Sequence, residues 1–466
     1  MSNNLNQTLF PSIPDYTLIE ELYVGRCTAV YRALAEADTQ TRSVVIKVLR
    51  RPMGEGQRST PPHIHELVRF RNQYVTAKHL PIEGVVRPLR LEQWNHSYFL
   101  VMEDVAGISL RDYLEIHGRL SVARVMTIAL QLVDVLCHLS QYRVLHKDIN
   151  PTNILIHPDT HQIWLTDFSL ASRLPKESQE LKSPRALEGT LAYIAPEQTG
   201  RMNRGIDYRA DFYSVGVTLY ELLTGALPFQ IDDPMELIHC HIAKAPVPPC
   251  ECALSSPVPK VLSDIVLKLM AKNAEDRYQS ALGLKHDLEK CLNQWQVTGQ
   301  IQAFELGKRD VCDRFLIPEK LYGRETEVQT LLGAFGRVAQ GSLELMLVTG
   351  LAGIGKTAVV NEVHKPITQR KGYFIKGKFD QFNRNVPFSG FVQAFRSLIG
   401  QLLSESDIAL SNWKAKILAA VGRQGQVLIE VIPELSLIIG PQPEVPEFWL
   451  SSLITQYPIR SGVVLS

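Results

Sequence analysis

The opening MSNNLNQTLF lacks both the positive start and the apolar core of an export signal, and no later apolar run reads as long enough to span a membrane. An excess of one charge is missing too: 49 basic residues face 48 acidic ones, so no whole-molecule field attracts nucleic acid or anionic lipid. Cysteine is sparse. Seven residues, an odd number without framework spacing, exclude a disulfide scaffold and fit reduced thiols. Internal repeats and low-complexity tracts are absent. The expectation is a cytoplasmic protein that neither binds nucleic acid nor inserts into a membrane. What is present is ordinary globular sequence, 45% hydrophobic and 21% charged, long enough at 466 residues for two or three domains with cores of their own.

A cluster of metal-ligand type, His239, Cys240, His241, Cys250 and Cys252, lacks C-x-x-C or H-x-x-x-H spacing and is interrupted by Pro246, Pro248 and Pro249. It reads as a helix end followed by a proline loop.

Along the chain the period changes. TAVYRALA, SVVIKVL and SYFLVME are short β-branched and aromatic runs, read as strands. In RVMTIALQLVDVLCHLS the apolar residues Val125, Ile128, Ala129, Leu132, Val133, Leu136 and Leu139 fall at helical spacing. Helices are also expected over DFYSVGVTLYELLTG, stopped by Gly225 and Pro228, and over KVLSDIVLKLMAK. A strand-rich lobe thus precedes a helix-rich one. After a connector, LELMLVTG reads as a buried strand and KTAVVNEVHKPI as a helix, the alternation of a second, α/β domain. The expected divisions are a polar tail over 1–14, a first domain over 15–292, a linker over 293–318, a second domain over 319–447 and a tail over 448–466.

Phosphoryl transfer to a hydroxyl needs a lysine on the nucleotide phosphates, oxygen ligands for Mg²⁺ and an acceptor for the hydroxyl proton. The chain offers them in one order: Lys47 closing VVIK, Asp148 and Asn153 in HKDINPTN, Asp167 opening DFS, then APE at 195–197. Taken singly, an aspartate is more often a turn former or a cap. The ordered set in its strand and loop context is what points to chemistry.

These residues, with GTLAYIAPEQTGRMNRGIDYRADFYSVGVTLYELLTGALPF and AEDRYQSA, resemble a bacterial serine/threonine protein kinase domain. More narrowly, they resemble the kinase that heads large bacterial sensor proteins, where an ATPase, a GAF module and often a histidine kinase follow. The resemblance implies an α+β two-lobed protein kinase fold using ATP and Mg²⁺ on a serine or threonine of a protein substrate. It implies Asp148 as catalytic base, Lys47 as phosphate anchor, and Asn153 and Asp167 as Mg²⁺ ligands. Leu22, Val30, Val45 and Leu155 would wall the adenine, and Glu103 and Val105 would offer it backbone groups. His146 and Phe168 would pack the core, Glu197 and Arg277 would pair behind the activation segment, and Asp211 would hold the catalytic loop. Downstream sensor or histidine kinase partners are implied as well.

Six positions depart from the family pattern. The glycine loop YVGRCTAV keeps Gly25 but has Tyr23 and Thr28 in the other glycine places, which leaves less room for backbone to approach phosphate. Gln73 stands where a glutamate should meet Lys47, with Glu66 the alternative partner. Lys147 replaces an arginine, Asn150 a lysine and Ser169 a glycine. The Gly189-Thr190 pair favours serine or threonine acceptors, and Ser178, Ser183 and Thr190 are candidate modification sites.

GLAGIGKT matches the P-loop pattern G-x-x-x-x-G-K-S/T between an expected strand and an expected helix. Gly350, Gly353 and Gly355 would let backbone amides cradle phosphates, Lys356 would reach the outer ones and Thr357 would hold Mg²⁺. YGRETEVQTLL resembles the opening box of AAA-type or STAND ATPases. No second acidic motif follows, and the likeness stops near Glu447, so an incomplete α/β P-loop NTPase domain, truncated within the ATPase, is expected. Competing functions are an active kinase, an ATP-binding pseudokinase scaffold, and a nucleotide switch centred on the P-loop.

Overall fold

The computed structural model describes residues 13–25, 28–35, 42–49, 64–94, 97–173, 189–200, 205–253, 257–311, 323–351, 353–362, 367, 372–378, 388–403 and 407–443. Ser178 and Ser183 lie outside the described residues, as does the tail over 448–466. The chain divides into two compact units that meet in sequence at Glu325 and Thr326.

The first unit opens with an antiparallel sheet of β1 (Tyr16–Val24), β2 (Thr28–Ala35), β3 (Arg42–Leu49), β4 (Pro88–Trp94) and β5 (Ser97–Glu103), in the order β1-β2-β3-β5-β4. Because strand side chains alternate, β3 buries Val44, Ile46 and Val48 in one cluster with Tyr31, Phe99 and Val101. Its opposite face carries Val45 and Lys47. There Val45 packs with Phe70 from helix α1 (Ile64–Ala77) and with Leu100 and Met102. That one-residue alternation is what aims Lys47 at α1 rather than at the first cluster.

The helical lobe begins with the short strand β6 (Ile108–Ser109) and α2 (Leu110–His117), then α3 (Val122–Gln141). Strands β7 (Ile154–Ile156) and β8 (Ile163–Leu165) join β6 in a small sheet. The expected helical stripe of α3 is buried: Val125, Ile128, Ala129, Leu132, Val133, Leu136 and Leu139 all sit in the core. By length and composition alone α3 could cross a bilayer, contrary to the expectation that no run here is long enough, yet it serves as the core helix of this lobe.

Helix α4 (Arg209–Thr224) is buried from Arg209 through Leu223, as suits a helix surrounded by others. Gly216 lets it approach α6 (Lys260–Leu269): a Cβ there would stand 2.8 Å from Leu269 Cβ. Between these helices in sequence lies α5 (Pro234–Ala243), capped by Asp233. It carries the HCH triplet, and His241 is buried with its Nδ1 2.9 Å from Tyr213 Oη. Behind APE, Arg277 reaches both Glu197 carboxylate oxygens at 2.6 and 2.8 Å, and both side chains are buried.

Helix α7 runs over Ala281–Thr298, so it enters the stretch expected to be linker. The chain beyond it stays on the lobe. Asp310 accepts hydrogen bonds from the amides of Gln279 and Ser280 and from the Ser280 hydroxyl, at 2.7–2.8 Å, while Phe304 and Leu306 pack against the core.

In the second unit, α8 (Glu325–Val338), α9 (Lys356–Asn361) and helices over Ser389–Leu402 and Asp407–Val421 are present. Ile399, Leu402, Ile432, Leu435, Ile438 and Ile439 form its core. The buried strand expected over 343–350 is not found: these residues belong to no strand, and Leu343, Leu345 and Leu347 are exposed. An apolar run becomes a strand only when a neighbour pairs with it, and among the described residues this unit has no paired strand.

Candidate active site

Lys47 donates from Nζ to Asp167 Oδ2 and to Gln73 Oε1, each at 2.9 Å. Of the two candidate partners on α1, the structure therefore selects Gln73. Its amide is buried and donates in turn to Met102 Sδ at 3.6 Å. Glu66 lies in the first turn, and its Oε2 is buried with no hydrogen bond among the described residues.

Asp167 takes a left-handed backbone, φ 62°, uncommon for a residue other than glycine. Burial opposes its ionisation, but the Lys47 ammonium, with help from the Ser169 amide, outweighs that and holds the carboxyl below the usual carboxylate range. The following turn is clamped to α1. Asn72 Nδ2 donates to the carbonyls of Ser169 and Ala171 at 3.0 and 2.8 Å. Sequence reasoning missed Asn72; its place beside Gln73 on the helix was the available signal.

The loop before β7 holds the remaining groups. Lys147 has φ 68°, and Asp211 from the start of α4 fixes that turn by accepting from the His146 and Lys147 amides at 2.8 Å each. Burial raises the Asp211 carboxyl above its ordinary range despite His146 and the two amides. The His146 ring packs edge-on to Phe168 at 4.7 Å and donates from Nε2 to the Thr166 carbonyl.

Asp148 is positioned on both oxygens. Its Oδ1 accepts from the Thr190 amide at 2.8 Å and from Asn150 Nδ2 at 3.1 Å, and its Oδ2 accepts from Asn153 Nδ2 at 3.0 Å. Asn150 Nδ2 also reaches Thr190 Oγ1 at 3.2 Å, so it links the loop to the activation segment. Asn153 points its amide nitrogen at Asp148, which turns its Oδ1 the other way. Asn153 Oδ1 and the Asp167 carboxylate are hard oxygen donors of the kind Mg²⁺ prefers, and in that respect the site fits the ion.

Val45, Val105 and Leu155 pack around Leu100 and Met102 beside Lys47, and Leu22 and Val30 are half-buried on β1 and β2. The Glu103 amide is already engaged with the Arg87 carbonyl at 3.0 Å, so of its two backbone groups the carbonyl is the one that could serve adenine. Asp104 is pinned by Arg32, Ser43 and the Ala106 amide. In the glycine loop the Gly25 amide donates to the Thr28 carbonyl at 2.8 Å. A Cβ on Gly25 would lie 2.5 Å from Tyr23 Oη, so the phenol covers that glycine.

In the second unit Gly350, Gly353 and Gly355 have φ 155°, 82° and 95°, conformations that favour glycine. Lys356 donates from Nζ to the Gly350 and Leu351 carbonyls at 2.8 Å each, and Thr357 is exposed at the start of α9.

A two-lobed fold with a lysine, an amide and two carboxylates meeting between the lobes defines a nucleotide-dependent phosphotransferase. The protein kinase domain model matches residues 16–289, more than half the chain, and the chain belongs to the protein kinase family. The AAA ATPase domain model matches residues 320–447. Both families use ATP with Mg²⁺. Among relatives, the chain is 42% identical over 271 residues to hybrid signal transduction histidine kinase G of Dictyostelium discoideum, covering 54% of this chain and 8% of that protein. It is 33% identical over 282 residues to serine/threonine-protein kinase PknB of Mycobacterium tuberculosis, covering 60% and 43%. It is 24% identical over 348 residues to histidine protein kinase 1 of Candida albicans, covering 69% and 14%. The chain thus spans less than half the length of each of these relatives.

Proposed function

We propose that the first unit transfers the γ-phosphate of ATP to serine or threonine hydroxyls of protein substrates. The observation that carries this reading is two hydrogen-bonded pairs, Lys47–Asp167 and Asp148–Asn153, tied together where the Thr166 amide donates to the Asn153 carbonyl. In the reaction the acceptor oxygen attacks the γ-phosphorus, the bond to the β–γ bridging oxygen breaks, and Asp148 takes the hydroxyl proton. Asn150, Asn153 and the Thr190 amide orient Asp148, while Lys47 steadies the nucleotide phosphates. Asn153 and Asp167 would hold Mg²⁺, which neutralises phosphate charge when bound.

Leu22, Gly25, Val30, Val45, Glu103, Val105 and Leu155 form the adenine and loop contacts in this reading. In the second unit Gly350, Gly353, Gly355, Lys356 and Thr357 bind a second nucleotide. The likeness to serine/threonine kinases and to two proteins named as histidine kinases supports a role in cytoplasmic signal transduction, with further sensor or histidine kinase modules as partners. A pseudokinase scaffold is the less favoured reading, because all four chemical groups are present and positioned.

The test is incubation of the full chain with Mg²⁺ and γ-labelled ATP, then phosphoamino-acid analysis. Label on serine and threonine that vanishes in Asp148→Asn supports the proposal. ATP binding with no transferred label would favour the scaffold.

A further inference from the structure

Helix α1 meets Lys47 through the neutral amide of Gln73, so no ion pair holds the helix to the cleft at that point. Its neighbour supplies a second tie. Asn72 Nδ2 donates to the Ser169 and Ala171 carbonyls at 3.0 and 2.8 Å, which uses both amide hydrogens. Its Oδ1 accepts from Thr76 Oγ1 at 3.2 Å, one turn further along the helix. Two carbonyls on one side and a hydroxyl on the other settle which end of the amide is nitrogen. Arg173 Nη2 extends the tie by donating to the Thr76 carbonyl at 3.1 Å.

Both carbonyls belong to the short turn over Phe168–Leu170 and its exit, which Asp167 opens. Asp167 has φ 62°, and its Oδ1 accepts from the Ser169 amide at 3.3 Å. The Ala171 amide closes the turn on the Phe168 carbonyl at 3.2 Å. A left-handed backbone at a residue other than glycine persists only where its surroundings hold it, and Asn72 holds this one from outside. Successive residues on a helix point about 100° apart, so Asn72 meets the turn after β8 while Gln73 meets Lys47 on β3.

We propose that Asn72 is a positioning residue for phosphotransfer: it keeps the Asp167 carboxylate and the Lys47 ammonium in register through neutral hydrogen bonds, in place of the charge that Gln73 lacks. Its effect passes through the Asp167 turn on one side and through α1 on the other. The inference rests on the phosphotransfer reading above and adds a residue to it.

The experiment compares the full chain with Asn72→Ala, Asn72→Asp and the double variant Asn72→Ala with Gln73→Glu. Initial rates of transfer from ATP to a serine peptide are read against Mg²⁺ concentration, and hydrogen exchange over 167–173 is read without nucleotide. Asn72→Ala should need about tenfold more Mg²⁺ for half its maximal rate, the scale seen for groups that orient a metal ligand, with the KM for peptide unchanged. Its exchange over 167–173 should quicken by about tenfold, the worth of two lost neutral hydrogen bonds. Asn72→Asp keeps the shape but sets a carboxylate against two carbonyls, so it should perform no better than alanine. Adding Gln73→Glu should restore most of the lost Mg²⁺ response, because an ion pair with Lys47 then holds α1, a repair that a purely structural fault would not show. Wild-type Mg²⁺ dependence in Asn72→Ala, full activity in Asn72→Asp, or no rescue by Gln73→Glu overturns the inference. If circular dichroism shows Asn72→Ala unfolded, the isosteric Asn72→Asp decides. If wild type transfers no phosphate, the kinase reading fails by itself, and unchanged exchange with unchanged Mg²⁺-ADP binding in Asn72→Ala then overturns the role of Asn72 as well.

Discussion

The Lys47 ammonium lies equally close, 2.9 Å, to the neutral amide oxygen of Gln73 and to the Asp167 carboxylate. Both contacts are charge-assisted by the ammonium, but only the one to Asp167 is an ion pair, because the Gln73 amide brings no opposing charge. The cleft keeps its lysine in place with less electrostatic grip than a glutamate would give.

Replacing Gln73 reads that difference directly. Gln73→Ala removes an orienting contact and should lower kcat/KM for ATP by about tenfold, the equivalent of ~1.4 kcal/mol. Gln73→Glu should raise it by about threefold or more. Steady-state kinetics with varied ATP checks both, and a fall for Gln73→Glu would mean that burying the added carboxylate costs more than the new pair returns.

Asn150 bridges Asp148 Oδ1 and Thr190 Oγ1. Asn150→Ala leaves Asp148 with the Thr190 amide and Asn153, and should lower kcat by about tenfold with little change in the KM for ATP. An equal loss through KM alone would assign Asn150 to nucleotide binding instead.

Much of this site was legible in the sequence, and the reasons it was not fully so are physical. Lys47 lies near the end of β3, Asp148 and Asn153 in the loop that leads into β7, and Asp167 just after β8, so motif order and local pattern sufficed. Gln73 and Glu66 are seven residues apart on the same helical face, roughly 10 Å along the axis, and periodicity cannot separate them. The positions of Asp167 and Met102 decide it. Asn72 contacts Ser169 across 97 positions, and Arg111 contacts Glu221 across 110. Such pairs exist only once the lobes have folded. The run over 343–350 shows the opposite failure, since its apolar composition carries no information about whether a partner strand is present.

The segment after α7 belongs mechanically to the helical lobe. Asp310→Ala removes three hydrogen bonds to Gln279 and Ser280. It should destabilise the first unit by about 1–3 kcal/mol. Gly283→Ala should do likewise, because its Cβ would stand 2.6 Å from Asp310 Cα. Thermal denaturation should show the first transition lowered by about 2–6 °C for each. Unchanged transitions would show the segment to be loosely attached.

Lys272 supplies a pH signature. Burial, with Arg277 nearby, pushes its ammonium down to about 7, and it donates to Tyr213 Oη and the Cys240 carbonyl. Neighbouring His241 is held by burial at about 3 and stays neutral above pH 7. In the unfolded chain a lysine titrates near ~10.4. Between about pH 7 and 10 the unfolded state then binds more protons, so stability from this group rises with pH and its penalty is complete below 7. Lys272→Met should be more stable than wild type at pH 7, with the gap closing toward pH 10 in denaturant titrations. Parallel curves would contradict this.

Phosphotransfer at this site requires Asp148 to take the acceptor proton. Single-turnover transfer of the γ-phosphate from Mg²⁺-ATP to a serine peptide, comparing the full chain with Asp148→Asn, tests it most directly. The expected loss is about 10²–10⁴ in the transfer rate, with ATP affinity nearly unchanged. Equal rates in the two proteins would contradict it.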